Sequence, residues 1–315
     1  MSIGICIPTK NRSSNLAVLF TYLTRLKCSI SRIVIVDSSD LPVQKQLNLE
    51  ICNSIKFKTE YIWTSKSSTS FQRNLGINLL LEDPQTEYVF FLDDDTYPDS
   101  NHIEQLLGTM NFLGESYIGG SGIASNHVYK QSSFSLWVKK ICLFSSSSPG
   151  KILASGHCSP AFDGDSLHPR EVSWLWSCSL WRKDSIGSSR FKELYPGYVL
   201  GEDVLFSQDM NKKGKLFCDP NATLLHETKV GSQLINANYI EKRLLLRLEI
   251  IKNKENQFLA KLSFLWCNLF EQIYFSSLLI FSKASNYDYN VFFLLKTYFR
   301  FNVSCLLGRI PKLKF

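Results

Sequence analysis

Three consecutive carboxylates, Asp93–Asp95, follow directly after the apolar run Tyr88–Leu92. Aspartate favours turns and helix caps, so one of the three could serve the fold alone. Adjacent carboxylates repel one another, however, and folding does not require such a cluster. Their hard oxygen atoms suit a divalent cation, Mg²⁺ or Mn²⁺, that bridges the diphosphate of a substrate. The stretch therefore predicts a metal-dependent site at the end of a buried strand.

Short apolar runs alternate with helix-like stretches in the first hundred residues, which is typical of a parallel sheet with crossover helices. The pattern predicts strands at Ile3–Ile7, Ile33–Val36, Thr59–Trp63 and Tyr88–Leu92, and a helix at Phe71–Leu81. Polar residues follow three of these strands, at 8–12, 37–40 and 93–95. Ligands bind at the carboxyl ends of strands in open α/β sheets, so these residues are expected to form one shared site.

The middle of the chain carries weaker patterns. Glycines and a run of four serines predict loops and short strands over residues 115–170. The Trp-rich segment Val172–Trp181 comes next, Glu202 begins a predicted helix that ends at Met210, and Lys215–Cys218 reads as a strand. The tryptophans of that segment could stack on sugar faces or simply pack in the core.

The fold class predicted from these patterns is α/β. We expect a Rossmann-like, mostly parallel sheet flanked by helices, with a helical extension at the C-terminus. Residues 1–238 would form the main domain, divided into halves at 1–114 and 115–238, and residues 239–315 would form the extension.

The positive charge is concentrated at the end of the chain. Residues 1–239 hold 23 Lys and Arg against 23 Asp and Glu, whereas residues 240–315 hold 12 against 5. This tail is also rich in Leu, Phe, Tyr and Ile, which favours an anionic membrane surface over a nucleic acid. No recognised nucleic-acid-binding motif accompanies the charge.

The segment 262–281 is long enough to span a bilayer, but Glu271 near its middle makes spanning costly. We therefore favour helices that lie on the membrane surface over helices that cross it. The alternative is that the helices pack on the domain or form a dimer interface. The basic residues expected at lipid headgroups are Arg243, Arg247, Lys252, Lys254 and Lys261.

Nine scattered cysteines without a CxxC pair indicate neither a zinc site nor a disulfide framework. We interpret them as reduced thiols of a cytoplasmic protein. The N-terminal residues lack the basic and apolar regions of a signal peptide. The expected location is the cytoplasm, peripheral to the inner face of a membrane.

Five motifs in order give the chain a family resemblance: IPTKNR near the start, VIVDSSD, FQRNLGIN, FLDDDTYP, and GEDVLFS near residue 201. The chain resembles the family 2 glycosyltransferases with the GT-A fold over about residues 3–227. The resemblance implies metal-dependent, inverting transfer of a sugar from a nucleotide donor, UDP or dTDP. The acceptor would be a glycan or a lipid-linked molecule.

The same resemblance assigns roles at the nucleotide. Pro8, Thr9 and Arg12 would lie beside it, and Asp37 would accept a hydrogen bond from the base. Arg73 would reach the base or the phosphates, unless it is an ordinary helix-surface arginine. Asp93 and Asp94 would lie at the nucleotide, with Asp93 close to the ribose. Asp95 would bind the metal.

On the acceptor side, Asp203 resembles the catalytic base of the family, and Glu202 and Trp176 would bind the acceptor. The alternative for the Glu202–Asp203 pair is ordinary acid at a helix N-terminus. His226 is placed like a further metal ligand, although a histidine after an apolar strand is often a hydrogen-bonded core residue. Ser177 and Cys178 stand where the family often has glycine.

Two other classes share this fold. A sugar nucleotidylyltransferase would need a glycine-rich phosphate loop after the first strand, and IPTKNRSS contains no glycine. A non-catalytic nucleotide-sugar-binding protein would be indicated by loss of Asp95 or Asp203, and both are present. A haloacid-dehalogenase-type phosphatase would need threonine where Tyr97 stands.

Overall fold

The computed structural model describes residues 1–126, 133–160, 167–227, 236–281 and 289–311. The chain divides into two compact units, which we treat separately. Unit 1 comprises Met1–Tyr129 and Ala161–Thr228, and unit 2 comprises Lys130–Pro160 and Lys229–Phe315. The segment 130–160 therefore belongs with the C-terminal helices, whereas the sequence pattern places it in the first domain.

Unit 1 contains the sheet and six helices in its described part. The strands are β1 (Ser2–Thr9), β2 (Ser29–Asp37), β3 (Thr59–Trp63), β4 (Tyr88–Phe91), β5 (Thr96–Pro98), β6 (Tyr117–Ala124), β7 (Arg170–Val172), β8 (Ser179–Arg182) and β9 (Lys215–His226). The helices are α1 (Ser13–Leu23), α2 (Pro42–Asn53), α3 (Thr69–Glu82), α4 (His102–Leu113), α6 (Lys183–Ile186) and α7 (Glu202–Met210). The strands and helices predicted in the first hundred residues are all present.

The described strands form one sheet in the order β3-β2-β1-β4-β8-β6-β9-β5, with β7 added on β9. The first four strands in this order are parallel, as expected for crossover connections. Beyond β4 the sheet is mixed, because β8 runs antiparallel to both β4 and β6. The predicted α/β class with a GT-A-like sheet flanked by helices is confirmed, and parallel pairing dominates only its nucleotide-side half.

Two hydrophobic layers cover the sheet, since its parallel strands are buried on both faces. On one face Ile5 packs with residues of α1 and α4, such as Leu16 and Leu106. On the other, Cys6 packs with residues of α3 and α7, such as Ile77 and Phe206. The alternation of successive side chains along β1 thus fixes which helix lies on which face. This arrangement brings the first turns of α3 and α7 to the carboxyl ends of the strands.

Strand β6 lies within residues 115–170, where the sequence pattern predicts loops and short strands. Its glycines leave room for large neighbours: a Cβ on Gly119 would meet the ring of Trp181, and one on Gly120 would meet the ring of Phe217. A Cβ on Gly122 would overlap the backbone carbonyl of Ala222. These positions supply no side chain because adjacent strands fill the space, which a local sequence pattern does not reveal.

Unit 2 consists of helices in its described part: α5 (Ser133–Ile141), α8 (Ala237–Lys252), α9 (Gln257–Phe281) and α10 (Val291–Leu306). The loop after α5 packs on this bundle, since Arg247 Nε donates to the Ser155 carbonyl at 3.1 Å. Trp266 Nε1 donates to the Ile141 carbonyl at 2.9 Å. These long-range contacts explain why residues 130–160 join the helical unit.

Glu271 is buried inside unit 2 with two arginines. Its carboxylate accepts from Arg243 Nε at 2.5 Å and from Arg247 Nη1 at 2.6 Å. The two cations hold the pKa of Glu271 below its usual value although burial opposes them. The expectation that Arg247 faces lipid headgroups is therefore wrong, because its side chain is 2% exposed.

No helix in the described ranges combines the length and the hydropathy needed to cross a membrane. The nine cysteines all lie in described ranges and are free thiols, as expected. Burial raises the pKa of Cys6 and of Cys178 to about 12, so both stay protonated near neutral pH.

We predict that Gly122→Ala destabilises unit 1 by several kcal/mol, on the order of an overpacked core position or more. The reason is that the new Cβ would meet backbone rather than a side chain that can turn away. Gly108→Ala in α4 is the matched control, because nothing lies within 4 Å of its added Cβ and alanine favours a helix. Thermal unfolding of both variants checks this, and equal melting temperatures would contradict it.

Candidate active site

The acidic cluster Asp93–Asp95 occupies the turn between β4 and β5. Because β4 pairs with β1 in parallel, this turn lies beside the end of β1. Thr9 Oγ1 donates to Asp94 Oδ2 at 2.7 Å. Arg12 Nη1 donates to Asp94 Oδ1 at 2.9 Å and to Asp95 Oδ2 at 2.7 Å. The IPTKNR and DDD motifs are thus one hydrogen-bonded structure.

Asp94 lies inside this structure, and the solvent reaches little of it. Burial raises the pKa of Asp94 to about 6, although the bonds from Thr9 and Arg12 act in the opposite direction. Both of its oxygens have protein partners. Asp94 therefore orders the turn from within, and its neighbours Asp93 and Asp95 are the more accessible carboxylates.

Asp95 and His226 form the part of the site that fits a divalent cation. His226 ends β9 and pairs with Thr96 of β5, which places its Nε2 3.7 Å from Asp95 Oδ1. The carboxylate oxygen suits Mg²⁺ or Mn²⁺, whereas an imidazole nitrogen is a more usual ligand of zinc, copper, iron or nickel, so the metal contact of His226 stays a prediction. No group of three or more His, Cys, Asp or Glu side chains in the described ranges is arranged so that it could hold a metal ion by itself, so a diphosphate or water would have to complete the coordination.

Arg73 joins this turn to the start of α7. Its side chain is 2% exposed; Nη1 bonds Glu202, and Nη2 bonds Asp93 Oδ1 at 2.5 Å. The helix-surface alternative is therefore excluded. Each terminal nitrogen donates to a carboxylate and keeps a further N–H, so the direct contact with the nucleotide stays a prediction.

The pair Glu202–Asp203 begins α7 after Gly201, whose φ of +67° is the left-handed conformation that glycine favours. Glu202 is buried and also accepts from Ser70 Oγ at 2.9 Å. Burial raises the pKa of Glu202 to about 7, with Arg73 opposing. Both Glu202 oxygens thus have protein partners, and its contact with an acceptor stays a prediction.

Asp203 is the partly exposed member of the pair. Its Oδ1 accepts from the backbone N–H of Val204 at 2.8 Å. Burial raises the pKa of Asp203 to about 6, and Arg73 lowers it less. A carboxylate with this pKa is largely ionised at neutral pH and can still accept a proton.

Asp37, which is predicted to contact the nucleotide base, lies in a buried hydrogen-bond network, and that contact stays a prediction. Asp37 is fully buried, and Oδ1 accepts from the backbone N and Oγ of Ser39 at 2.7 and 2.5 Å. Its Oδ2 accepts from Asn48 Nδ2 at 2.9 Å and from the Tyr61 hydroxyl at 2.6 Å. These four bonds use the carboxylate to order the loop after β2.

Trp176 lies beside His226 at the edge of the site, and Pro8 lies beneath it within the sheet. The Trp176 ring lies 6.0 Å from the ring of His226, centroid to centroid, and its Nε1 donates to the Gly122 carbonyl at 3.0 Å. Pro8 is buried in β1 and pairs with Val36 of β2. Pro8 therefore supports the end of β1 from within the sheet.

Sequence reasoning missed four polar residues around this site. Gln72 Nε2 donates to the carbonyls of Thr9 and Val36, at 2.9 and 2.6 Å, and so ties the ends of β1 and β2. The Tyr97 hydroxyl donates to Glu227 at 2.6 Å, and Asn15 donates to both. The signal for Gln72 was a polar residue on the buried face of a helix. Glu227 carried none.

The family model described as Glycosyl transferase family 2 matches residues 4–152. These residues include the IPTKNR, VIVDSSD, FQRNLGIN and DDD motifs. Comparison with curated protein sequences gives no match.

Similar folds occur among crystal structures of S. aureus TarS 1-349. The complex with UDP-GlcNAc has a TM-score of 0.58 at 12% identity, covering 99% of this chain and 82% of that chain. The complex with UDP has a TM-score of 0.51 at 13% identity, covering 90% and 74%. At this identity the likeness establishes the GT-A-like α/β fold. The match of the family model and this fold together support a glycosyltransferase as the class of enzyme.

Proposed function

We propose that the chain transfers a sugar from a UDP or dTDP donor to a hydroxyl acceptor, with inversion at the anomeric carbon. The observation that carries this proposal is the Arg73 bridge, which ties the acidic turn to the start of α7. It connects the acidic turn, proposed to bind the donor diphosphate, with Asp203, a carboxylate whose pKa burial raises to about 6. The TarS structures hold UDP-GlcNAc and UDP, which favours a uridine donor here.

The strand ends of unit 1 supply the donor side. The Arg12 guanidinium lies against Asp94 and Asp95, where a negatively charged diphosphate would meet it. Asp93 is partly exposed and can accept from ribose hydroxyls. The Thr9 hydroxyl is bonded to Asp94, so Thr9 contributes by positioning the acidic turn.

Asp95 and His226 would hold Mg²⁺ or Mn²⁺. The cation would neutralise charge on the diphosphate as it leaves. Burial and Asp93 raise the pKa of Asp95, and Arg12, which donates to this carboxylate, acts in the opposite direction and orients it.

Asp203 is proposed as the general base. In an inverting transfer the acceptor oxygen attacks the anomeric carbon opposite the leaving diphosphate, and its proton must pass to a nearby base. Asp203 is accessible, whereas Glu202 is buried in its bond with Arg73. Glu202 therefore acts as a positioning residue that fixes the first turn of α7.

The acceptor is proposed to be a glycan or a lipid-linked molecule, with the enzyme at the inner face of a membrane. Charge supports this location: unit 2 contains 17 Lys and Arg against 5 Asp and Glu, a net +12. Unit 1 contains 18 against 23, a net −5. An anionic surface would attract the helical unit and leave the site of unit 1 in the aqueous phase.

We predict that UDP-GlcNAc raises the melting temperature only when Mn²⁺ or Mg²⁺ is present. At about 100 times Kd the stabilisation is about 2.7 kcal/mol. EDTA and Asp95→Ala should each abolish it, because each removes part of the cation site. Asp209→Ala, which affects an ion pair with Lys212 on α7, is the control. An equal shift after chelation would exclude the metal site.

We predict that Asp203→Asn lowers turnover by roughly 10² to 10⁴-fold with little change in donor affinity. The amide has nearly the same shape but cannot accept the proton. Wild-type kcat/KM should rise as pH passes about 6 and then level off, since the base must be ionised. Asp209→Asn on the same helix should behave as wild type. Wild-type turnover in Asp203→Asn would show that another group is the base.

We predict that Arg73→Met destabilises the protein by about 3 to 5 kcal/mol, because it leaves Glu202 and Asp93 without their cation. Arg190→Met is the matched control, since Arg190 bonds only Asn78 and loop carbonyls at the surface. Urea unfolding measures the difference. If Glu202→Gln were added to Arg73→Met, part of the loss should return, because a neutral amide tolerates burial better.

A further inference from the structure

The last two helices of unit 2 form an antiparallel hairpin. Asn268 of α9 donates to Asn302 of α10 at 2.6 Å, and Lys261 Nζ donates to the Leu306 carbonyl at 3.3 Å. The face of α9 turned to the bundle carries apolar residues that are at most 3% exposed, among them Phe264, Cys267 and Phe275. This buried face accounts for the packing of the hairpin within unit 2.

The opposite face of α9 is also apolar, and it is exposed. At 100° per residue, five exposed side chains fall within an arc of roughly 80°. They are Phe258, Leu262, Trp266, Leu269 and Ile273, each between 46% and 75% exposed. The stripe runs along roughly 22 Å of helix. A helix that is apolar on both faces is normally covered on both.

Helix α10 repeats the pattern. Four exposed apolar residues fall within an arc of roughly 60° at the same helical spacing. They are Phe292, Leu295, Phe299 and Leu306, between 53% and 73% exposed. We call these nine residues of α9 and α10 the apolar face of unit 2. Such clusters of exposed large apolar side chains mark interaction sites.

The acidic residues of unit 2 are mostly withdrawn from the surface. Three of the four in its described ranges are buried with basic partners: Glu271 with Arg243 and Arg247, Glu241 with Arg300, and Glu249 with Lys252. In particular, the carboxylate of Glu271 does not interrupt the apolar face. Lys140, Lys296 and Arg309 remain exposed. The unit therefore presents apolar and cationic groups to its surroundings.

We infer that the apolar face of unit 2 docks on an anionic lipid bilayer, with its aromatic and leucine side chains in the interfacial layer and neighbouring lysines at the headgroups. The combination of aromatic, aliphatic and basic groups is that of interfacial helices. A second copy of the chain would bring together two units of net +12, which charge repulsion opposes. The inference deepens the proposed membrane location and names the surface responsible.

The test is sedimentation of the full chain with vesicles of phosphatidylcholine alone or with roughly 30% phosphatidylglycerol, an anionic lipid that attracts Lys and Arg. We expect wild type to bind the mixed vesicles more tightly than the neutral ones. The variant Phe258→Ser/Phe292→Ser/Phe299→Ser should bind the mixed vesicles on the order of 10²-fold more weakly, because three insertions are lost. Phe112→Ser is the matched control, since Phe112 is an 88% exposed phenylalanine of unit 1.

The outcomes separate this inference from the proposed function. Donor-dependent thermal stabilisation of the triple variant should equal that of wild type, which shows that it folds. Failure of wild type to bind mixed vesicles, or equal binding by the triple variant, would overturn the inference while leaving donor binding unaffected. A wild-type dimer in light scattering that the triple variant converts to a monomer would show that the face covers a second copy instead.

Discussion

The candidate site depends on one buried arginine, Arg73. Arg73 holds Asp93 and Glu202 together although they are far apart in sequence. Taking three charges out of water is costly, and only their mutual attraction with good geometry offsets it. The arrangement therefore fixes α7 against the turn after β4. Asp203, one residue beyond Glu202, is placed by the same constraint.

A second arginine, Arg12, lies against the run of consecutive carboxylates that the sequence shows. Arg12 bonds Asp94 and Asp95 and thereby reduces the repulsion within the cluster. Arg73 pairs with Asp93, and Arg12 pairs with Asp94 and Asp95. A bound cation at Asp95 and His226 would add to a cluster that is already folded, since these protein bonds do not require it.

Unit 2 also contains a buried carboxylate that is paired with two arginines. Glu271 is enclosed by Arg243 and Arg247 at the centre of the helical bundle, where the ion pairs set the register of α8 against α9. Because Glu271 pairs with both arginines inside the bundle, its charge does not lie on the apolar outer surface of α9. The exposed stripe on α9 follows from that pairing, because polar residues of this helix, such as Asn268, point inwards.

Sequence alone determined the elements whose signals are local. The strands up to β4, helix α3 and the start of α7 follow from apolar periodicity and from polar residues after strands, and the DDD cluster marked the site. Tertiary structure decided what each polar group binds. Asp37 bonds Ser39, Asn48 and Tyr61, Arg73 faces two carboxylates, and the glycines of β6 leave room for Trp181 and other neighbours. These partners come from distant parts of the chain, and periodicity carries no record of them.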